Sequence, residues 1–264
     1  MDIGTERLIG RKDGAIGWMI FNNPERRNAL SLDMWQAIPD VLASFEADPE
    51  IRIVVFRGAG DKAFVAGADI SQFEALRANR DANDLYSAQS AAATRAMVGL
   101  TKPSIAMVRG YCIGGGLAVA LTCDLRICSP DSRFAIPAAR LGLGYGFEGV
   151  KALADVVGPS FAKEILFTAR HMSAEEALRI GLVNKVAADD DLETVVRDYA
   201  AMVADNAPLT VKAAKMAVDE ALRDPAHRRL EKVARAIGAC FESADYAEGR
   251  RAFLEKRRPV FQGR

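Results

Sequence analysis

Short apolar runs alternate with amphipathic stretches along most of the chain. Ala15–Phe21 and Ile51–Phe56 are compact apolar runs closed by turn residues, which is typical of buried strands. Between them, Leu32–Phe45 carries apolar residues three or four positions apart, and Ser31 precedes it. This spacing predicts an amphipathic helix with Ser31 as its N-cap, and a further apolar run predicts a strand at Pro103–Val108.

A strand, a glycine-rich turn and a helix recur in that order. Gly114–Gly116 leads into a helical segment at Leu117–Thr122, and the glycine-spaced loop Leu141–Gly149 opens a helix that is predicted to run through Ala154. The polar, alanine-rich stretch Ser71–Gly99 is also predicted to be helical. The shorter strand candidates are Leu125–Cys128 and Phe134–Ile136. Because strands alternate with helices, the chain is predicted to belong to the α/β class.

The pattern changes after about Asp189, where the chain becomes almost entirely helical. The predicted helices of this part are Leu192–Ala204, Pro208–Leu222 and Pro225–Phe241. We therefore divide the chain into a core that spans residues 1–190 and a helical region that spans residues 191–264. Periodicity alone does not separate the possible roles of this region, which are a lid, a second domain or an oligomerisation element.

Charge and composition exclude several partners. The chain carries 35 Lys and Arg residues and 35 Asp and Glu residues, a formal net charge of +0. Nucleic-acid-binding proteins usually carry a basic excess that displaces counterions from phosphates. The longest apolar stretch, Tyr111–Cys123, contains three consecutive glycines and is too short for a membrane span of about 20 residues. Since the N-terminus also lacks a signal-peptide h-region, we expect a cytoplasmic protein with no nucleic-acid or membrane partner.

Four familiar kinds of site are disfavoured by their sequence context. The four cysteines form no CxxC pair and have no histidine at metal-ligand spacing, so neither a metal site nor a redox motif is expected. Gly144, Gly146 and Gly149 match a dinucleotide fingerprint, but no hydrophobic strand immediately precedes them. Serine hydrolysis is disfavoured because GxSxG is absent and because His171 and His227 stand in polar, turn-like contexts.

Two segments of small residues, Ala66–Ile70 and Gly114–Gly116, each stand between a strand and a helix. Small residues let the backbone approach a ligand closely, and N–H groups at a helix N-terminus favour negative charge. Together the two segments offer an oxyanion hole with two N–H donors. The glycines equally fit a structural interpretation, in which they permit tight packing of a strand against a helix.

Four segments resemble the motifs of the crotonase superfamily, the enoyl-CoA hydratase/isomerase family, and occur in the order of that family. They are Asn23–Leu30, Phe64–Ile70, Gly110–Gly116 and Ala174–Val183. The resemblance implies a spiral of ββα turns followed by a helical trimerisation region, assembled as a homotrimer or a dimer of trimers. It also implies an acyl-CoA substrate, with no cofactor besides the coenzyme A of that substrate. The thioester oxygen would accept hydrogen bonds from the N–H groups of Ala68 and Gly115.

Departures from the family pattern bear on the reaction. Family hydratases use two glutamates to handle water and a proton, and the matching positions here hold Ala118 and Ala138. Neither alanine can act as an acid or a base, so the two-glutamate hydration mechanism is not supported. The loop Leu143–Gly149 resembles instead the methylmalonyl-CoA decarboxylase branch, which also has a tyrosine at the position of Tyr145.

Tyr145 and Glu148 are the side chains that we assign to catalysis, beside the N–H groups of Ala68 and Gly115. The Tyr145 hydroxyl can orient a carboxylate or carry a proton, but the residue equally fits the wall of a pocket. Glu148 can act as an unusual acid or base, or it can simply complement the dipole in the first turn of a helix. The sequence leaves both alternatives open.

The resemblance also implies where coenzyme A binds. Family members hold its phosphates with basic residues after the first strand and on the C-terminal helix, often from a neighbouring subunit, and Arg26 and Lys256 stand at such positions. Asp69 is predicted to cap a helix, with its backbone beside the adenine. The residues assigned to coenzyme A or substrate binding are Arg26, Ala66, Gly67, Asp69, Ile70, Phe253 and Lys256.

Three hypotheses for the function follow. The favoured one is a lyase that stabilises a thioester enolate and decarboxylates a small malonyl-type CoA ester. The second is an enoyl-CoA hydratase with a non-standard acid or base such as Glu148. The third, which the two alanines suggest, is a catalytically silent subunit that binds CoA esters.

Overall fold

The computed structural model describes residues 3–69 and 80–264 of the chain. The strands β1 to β11 are, in chain order, Ile3–Gly4, Leu8–Asp13, Ile16–Phe21, Ile53–Gly58, Ala63–Val65, Ser104–Val108, Tyr111–Ile113, Leu125–Cys128, Arg133–Ala135, Met172–Ser173 and Lys185–Val186. The helices α1 to α9 are Leu32–Ala47, Arg80–Val98, Gly115–Leu121, Phe147–Thr168, Ala174–Arg179, Leu192–Ala204, Pro208–Ala221, Leu230–Glu242 and Ala244–Glu255. Across these described ranges, none of the helices is long and apolar enough to cross a membrane.

The strands form two sheets, and the chain alternates between them. The larger sheet has the order β1-β2-β3-β4-β6-β8-β11, and the smaller sheet has the order β10-β9-β7-β5. From β3 to β11 the neighbours in the larger sheet run parallel, as do β5, β7 and β9 in the smaller sheet. Helices α3 and α4 follow β7 and β9, so each pair of strands is closed by a helix. The predicted α/β class with ββα turns is confirmed.

The larger sheet separates two hydrophobic cores, because side chains alternate between its two faces. On β4, Val54 and Phe56 face the main core, which also contains residues of α1 and of the smaller sheet. Ile53 and Val55 face the second core, where they are grouped with Leu192 of α6. Strands buried on both faces show the unbroken apolar runs from which they were predicted.

Most of the predicted elements are confirmed, with differences at their ends. Ser31 stands at the N-cap of α1 as predicted, but its buried hydroxyl has no hydrogen-bond partner in the part of the chain that the structure describes. The predicted helix Ser71–Gly99 is confirmed as α2 from residue 80, and residues 70–79 lie outside the described residues. The predicted end of α4 at Ala154 was wrong, because helical structure resumes after a kink at Gly158 and continues to Thr168.

The helices that follow residue 190 have different partners. Helix α6 packs on β4, β6 and β8, whereas α8 contacts mainly α7 and also α9. The predicted helix Pro225–Phe241 is in fact a 3₁₀ turn, Pro225–His227, followed by α8. The division of the chain into residues 1–190 and 191–264 stays a prediction.

Candidate active site

The segment that carries Ala68 runs beside Leu30, and this pairing fixes the direction of its N–H groups. Leu30 N donates to Gly67 O at 2.8 Å and Asp69 N donates to Leu30 O at 3.0 Å, which forms an isolated parallel bridge. Ala66 and Gly67, the latter at φ +108°, lead from β5 into this segment. Because both neighbours of Ala68 are bonded to Leu30, the N–H of Ala68 points to the opposite side.

Gly115 lies next to Ala68, at the N-terminus of α3. A Cβ atom built on Gly115 would lie 3.9 Å from Ala68 N and 3.8 Å from Gly67 C, so the two backbones run close together. Ala118 N donates to Gly114 O at 3.0 Å. Gly115 lies in the first turn of α3, so its N–H has no partner within the helix. The structure therefore brings together the two residues whose N–H groups were assigned to an oxyanion hole.

The three consecutive glycines of this turn differ in what their surroundings require. Gly114 has φ +54°, a left-handed conformation that favours glycine. A Cβ on Gly116 would overlap the carbonyl group of Val65, so this glycine permits α3 to pack on β5. A Cβ on Gly115 would meet only ordinary contacts, the nearest being Leu30 Cδ1 at 3.5 Å. Backbone conformation therefore explains Gly114 and packing explains Gly116, but neither demands a glycine at position 115.

Ala118 and Ala138 lie near this turn and contribute only methyl groups. Both residues are half-buried. Ala118 belongs to the first turns of α3, and Ala138 belongs to the 3₁₀ helix Pro137–Leu141. The start of this 3₁₀ helix approaches the glycine turn, since Pro137 Cδ lies 3.8 Å from a Cβ built on Gly114. The two positions therefore place no acid or base beside the backbones of Ala68 and Gly115.

Tyr145, in the loop before α4, is half-buried, and Glu148, at the start of α4, is exposed. The Tyr145 ring lies against Gly149, where a Cβ would come within 2.7 Å of Tyr145 Cε1. Burial raises the pKa of the Tyr145 hydroxyl above the ordinary tyrosine value of about 10, so the hydroxyl is protonated at neutral pH. Glu148 lies in the first turn of α4, where a carboxylate complements the helix dipole. The structure shields Tyr145 from solvent far more than Glu148.

An ion pair that sequence reasoning missed joins two of the assigned binding residues. Arg26 Nη1 lies 3.0 Å from Asp69 Oδ1, and the Asp69 side chain is only 6% exposed while that of Arg26 is half-exposed. A buried carboxylate needs such a partner, and the pair also fixes a cation beside Ala68. Ile70 and residues 71–79, where the helix that Asp69 was predicted to cap would begin, lie outside the described residues.

Phe253 and Lys256 lie at the C-terminal end of α9, and both are exposed. Helix α9 packs mainly on α8. The assignment of these two residues to coenzyme A binding stays a prediction. No group of three or more His, Cys, Asp or Glu side chains suited to a metal ion occurs within residues 3–69 and 80–264.

Asn28 holds the turn before Leu30, and sequence reasoning did not single it out. Its fully buried Nδ2 donates to Ala59 O at 2.9 Å and to Ala63 O at 2.7 Å, and its Oδ1 accepts from Asn23 N at 2.9 Å. Its φ of 56° lies in the left-handed region, which asparagine tolerates better than most residues. Its only sequence signal is its place within the first of the four motif segments.

Asn28→Ala is expected to lower the free energy of unfolding by about 2–4 kcal/mol, because it leaves two buried carbonyls and one N–H without their partner. Denaturant titration measures this loss. Asn22→Ala is the matched control, since Asn22 Nδ2 makes one exposed bond to Glu6 O at 2.7 Å. The control should lose less than about 1 kcal/mol. Equal losses in the two variants would contradict the role given to Asn28.

Fold and site together define an α/β protein of stacked ββα turns, whose candidate site is built from backbone N–H donors. Such donors bind carbonyl or anionic oxygen atoms. A model of the enoyl-CoA hydratase/isomerase family matches residues 11–264, and the chain belongs to this family. As a member of the crotonase superfamily it is an acyl-CoA-processing enzyme.

Known proteins resemble the chain over nearly its whole length. It is 37% identical over 251 residues to the short-chain-enoyl-CoA hydratase of Clostridium acetobutylicum, with 95% of each chain covered. It is also 37% identical over 256 residues to the crotonyl-CoA hydratase of Syntrophomonas wolfei, with 97% of this chain and 98% of that chain covered. A crystal structure of an enoyl-CoA hydratase/carnithine racemase from Magnetospirillum magneticum matches with a TM-score of 0.91 at 35% identity, over 99% of this chain and 97% of that chain.

Proposed function

We propose that the protein stabilises the enolate of a small acyl-CoA thioester, whose oxygen accepts hydrogen bonds from Ala68 N and Gly115 N. The observation that carries this proposal is the 3.9 Å approach of a Cβ built on Gly115 to Ala68 N. A preorganised N–H donor stabilises an oxyanion by about 3 kcal/mol, so each of the two donors would lower the barrier to enolate formation. Backbone donors do not depend on side chains, and therefore tolerate alanine at positions 118 and 138.

Decarboxylation of a malonyl-type thioester is the reaction we favour. The bond between the α-carbon and the carboxylate breaks, CO₂ leaves, and the electron pair passes into the thioester as an enolate. A proton from water or from the Tyr145 hydroxyl then restores the α-carbon. This reaction needs no carboxylate acid or base, which agrees with the methyl groups of Ala118 and Ala138. The protonated Tyr145 hydroxyl is the proposed donor to the departing carboxylate.

Hydration of a short-chain enoyl-CoA is the second candidate. The names of the two relatives at 37% identity, a short-chain-enoyl-CoA hydratase and a crotonyl-CoA hydratase, favour it. Hydration adds water to the β-carbon and a proton to the α-carbon, and it therefore requires an acid or base. Glu148, in the first turn of α4, is the carboxylate that would take this part, although it is exposed to solvent.

We also propose that Arg26 and Lys256 bind the phosphates of coenzyme A and that the C-terminal helices assemble a homotrimer or a dimer of trimers. Supporting the first point, the ion pair with Asp69 fixes Arg26 beside Ala68. Supporting the second, helices α8 and α9 expose large apolar side chains whose burial would drive association. These side chains are Leu230, Ile237, Phe241, Phe253 and Leu254.

Incubation with methylmalonyl-CoA and, separately, with crotonyl-CoA tests the proposed reaction. We expect CO₂ and propionyl-CoA from the first substrate and no hydration of the second, as measured by chromatography of the CoA esters. Hydration of crotonyl-CoA that is lost in Glu148→Gln would favour the second candidate. Binding of both esters without turnover would contradict both reactions and would support a catalytically silent CoA-ester-binding subunit.

A further inference from the structure

The residues after α9 fold back along that helix and are held by two of its carboxylates. Glu248 accepts from Arg257 Nη1 at 2.6 Å, from Arg257 Nη2 at 2.9 Å and from Val260 N at 3.0 Å. Asp245, only 3% exposed, accepts from Gln262 N at 2.6 Å and from Gly263 N at 2.8 Å. Residues three apart lie on one face of a helix. The two carboxylates therefore form one row that fixes the returning segment.

Lys256 occupies the turn between α9 and this segment, in a left-handed conformation with φ 54° and ψ 38°. Lys256 N donates to Phe253 O at 3.3 Å and Arg257 N donates to Ala252 O at 3.0 Å. This pair of bonds is the Schellman motif, in which glycine is the usual residue at the left-handed position. Because lysine is less stable than glycine in this conformation, the surrounding contacts must hold the turn in place.

The neighbouring cations are not equally available. The Arg257 guanidinium is bound by Glu248 on two nitrogens, and Arg257 Nε donates to Glu255 at 2.6 Å. In the part of the chain that the structure describes, no ion pair of Lys256 is found, and its side chain is exposed. The Arg257 side chain therefore holds the turn, whereas the ammonium group of Lys256 is available to a ligand.

We propose that Glu248 is a positioning residue for coenzyme A: by binding Arg257 and the backbone of Val260, it fixes the left-handed turn that sets Lys256 towards the phosphates. The inference rests on the proposed function, in which Lys256 contacts those phosphates. A long side chain that is already held in place loses less conformational freedom on binding. The bidentate pair of Glu248 and Arg257 thus contributes to affinity without touching the ligand.

Neutralising Glu248 would change the affinity for coenzyme A in opposite directions through lost charge and through lost positioning, so an affinity measurement separates the two effects. The hydrogen bonds from Arg257 lower the pKa of Glu248 to about 2, so its carboxylate is ionised at neutral pH. Removing a negative charge near a phosphate site would remove a repulsion that acts over about 10 Å, and would therefore strengthen phosphate binding. Weaker binding after neutralisation of Glu248 therefore reports lost positioning rather than lost charge.

The test compares the dissociation constants of acetyl-CoA and S-acetylpantetheine, measured by calorimetry. The two ligands share the thioester and the pantetheine arm, and only acetyl-CoA carries the nucleotide with its phosphates. Lys256→Ala should weaken acetyl-CoA binding about tenfold and leave S-acetylpantetheine binding unchanged. Glu248→Gln should weaken acetyl-CoA binding by about threefold to tenfold, again without an effect on S-acetylpantetheine.

Two further variants separate positioning from charge and from folding. Arg257→Lys keeps the charge but loses the planar fork that binds a carboxylate on two nitrogens, and it should weaken acetyl-CoA binding in the same direction as Glu248→Gln. Glu231→Gln is the control, because it removes the same charge from an exposed carboxylate that lies 3.9 Å from Arg235. It should leave both dissociation constants unchanged. Circular dichroism verifies that each variant is folded.

Three outcomes would overturn the positioning role of Glu248. Acetyl-CoA affinity in Glu248→Gln that is equal to or tighter than wild type, alongside a loss in Lys256→Ala, would overturn the positioning role and keep the proposed phosphate contact. Equal weakening of both ligands in Glu248→Gln would show a general structural role and would also overturn the proposal. Unchanged binding in Lys256→Ala would reject the phosphate contact itself, and the proposal with it.

Discussion

Gly115→Pro is expected to lower kcat for the thioester reaction by about two to three orders of magnitude, because it replaces the hydrogen of one of two N–H donors to the enolate oxygen with the proline Cδ. Proline is well accommodated at the first position of a helix, where the N–H has no partner within the helix. The site also has room for a Cβ, whose nearest neighbour would be Leu30 Cδ1 at 3.5 Å. Steady-state kinetics on the accepted CoA ester measures the effect.

Gly115→Ala is the matched control for this substitution. It adds a methyl group at the same place but keeps the N–H, so it should retain kcat within about tenfold of wild type. Thermal unfolding of the two variants shows whether α3 is intact. A wild-type kcat in Gly115→Pro would mean that this N–H does not stabilise the transition state. Equal losses in the two variants would assign the effect to crowding instead.

Tyr145→Phe is expected to lower kcat by about a hundredfold, because it deletes a shielded hydroxyl that donates to the departing carboxylate or carries the proton. The pH dependence of kcat also follows from the position of Tyr145. Burial disfavours the charged phenolate and raises the pKa of Tyr145, so the O–H persists as pH rises through about 10. The wild-type kcat should therefore show no loss from Tyr145 ionisation between pH 7 and about 10.

Tyr111→Phe is the control for the loss of a tyrosine hydroxyl. Tyr111 is half-buried on β7, and its ring centroid lies 4.9 Å from Arg27 Cζ. This contact uses the ring rather than the hydroxyl, so kcat should stay close to wild type. If Tyr145→Phe retained the wild-type kcat at every pH, Tyr145 would serve only as part of the pocket wall. An alkaline loss of wild-type kcat near pH 8 that vanished in Tyr145→Phe would contradict the raised pKa.

Much of the larger sheet could be predicted from the sequence, because its central strands are buried on both faces and therefore read as unbroken apolar runs. β4 and β6 are examples. β2, Leu8–Asp13, was missed because only Leu8 and Gly10 are buried in it. β7 was missed because its three residues are too few to show alternation. The pairing of such strands depends on tertiary contacts rather than on local pattern.

The candidate site could be predicted as a set of residues but not as a set of contacts. The two segments of small residues have a recognisable local form, and the resemblance to the crotonase superfamily singled out Ala68 and Gly115 within them. The ion pair between Arg26 and Asp69 joins residues 43 positions apart, and no local signal reports it. The left-handed turn at Lys256 was also hidden, because the residue there is not the glycine by which such turns are recognised.

The most direct test of the central claim is a crystal structure with a methylmalonyl-CoA analogue whose carboxylate is replaced by a group that cannot leave. We expect a thioester oxygen about 2.7–3.1 Å from both Ala68 N and Gly115 N, which is the distance of a hydrogen bond to an oxyanion. The Tyr145 hydroxyl should lie within hydrogen-bond reach of the group that replaces the carboxylate. A thioester oxygen more than about 3.5 Å from either nitrogen would contradict the proposed oxyanion hole.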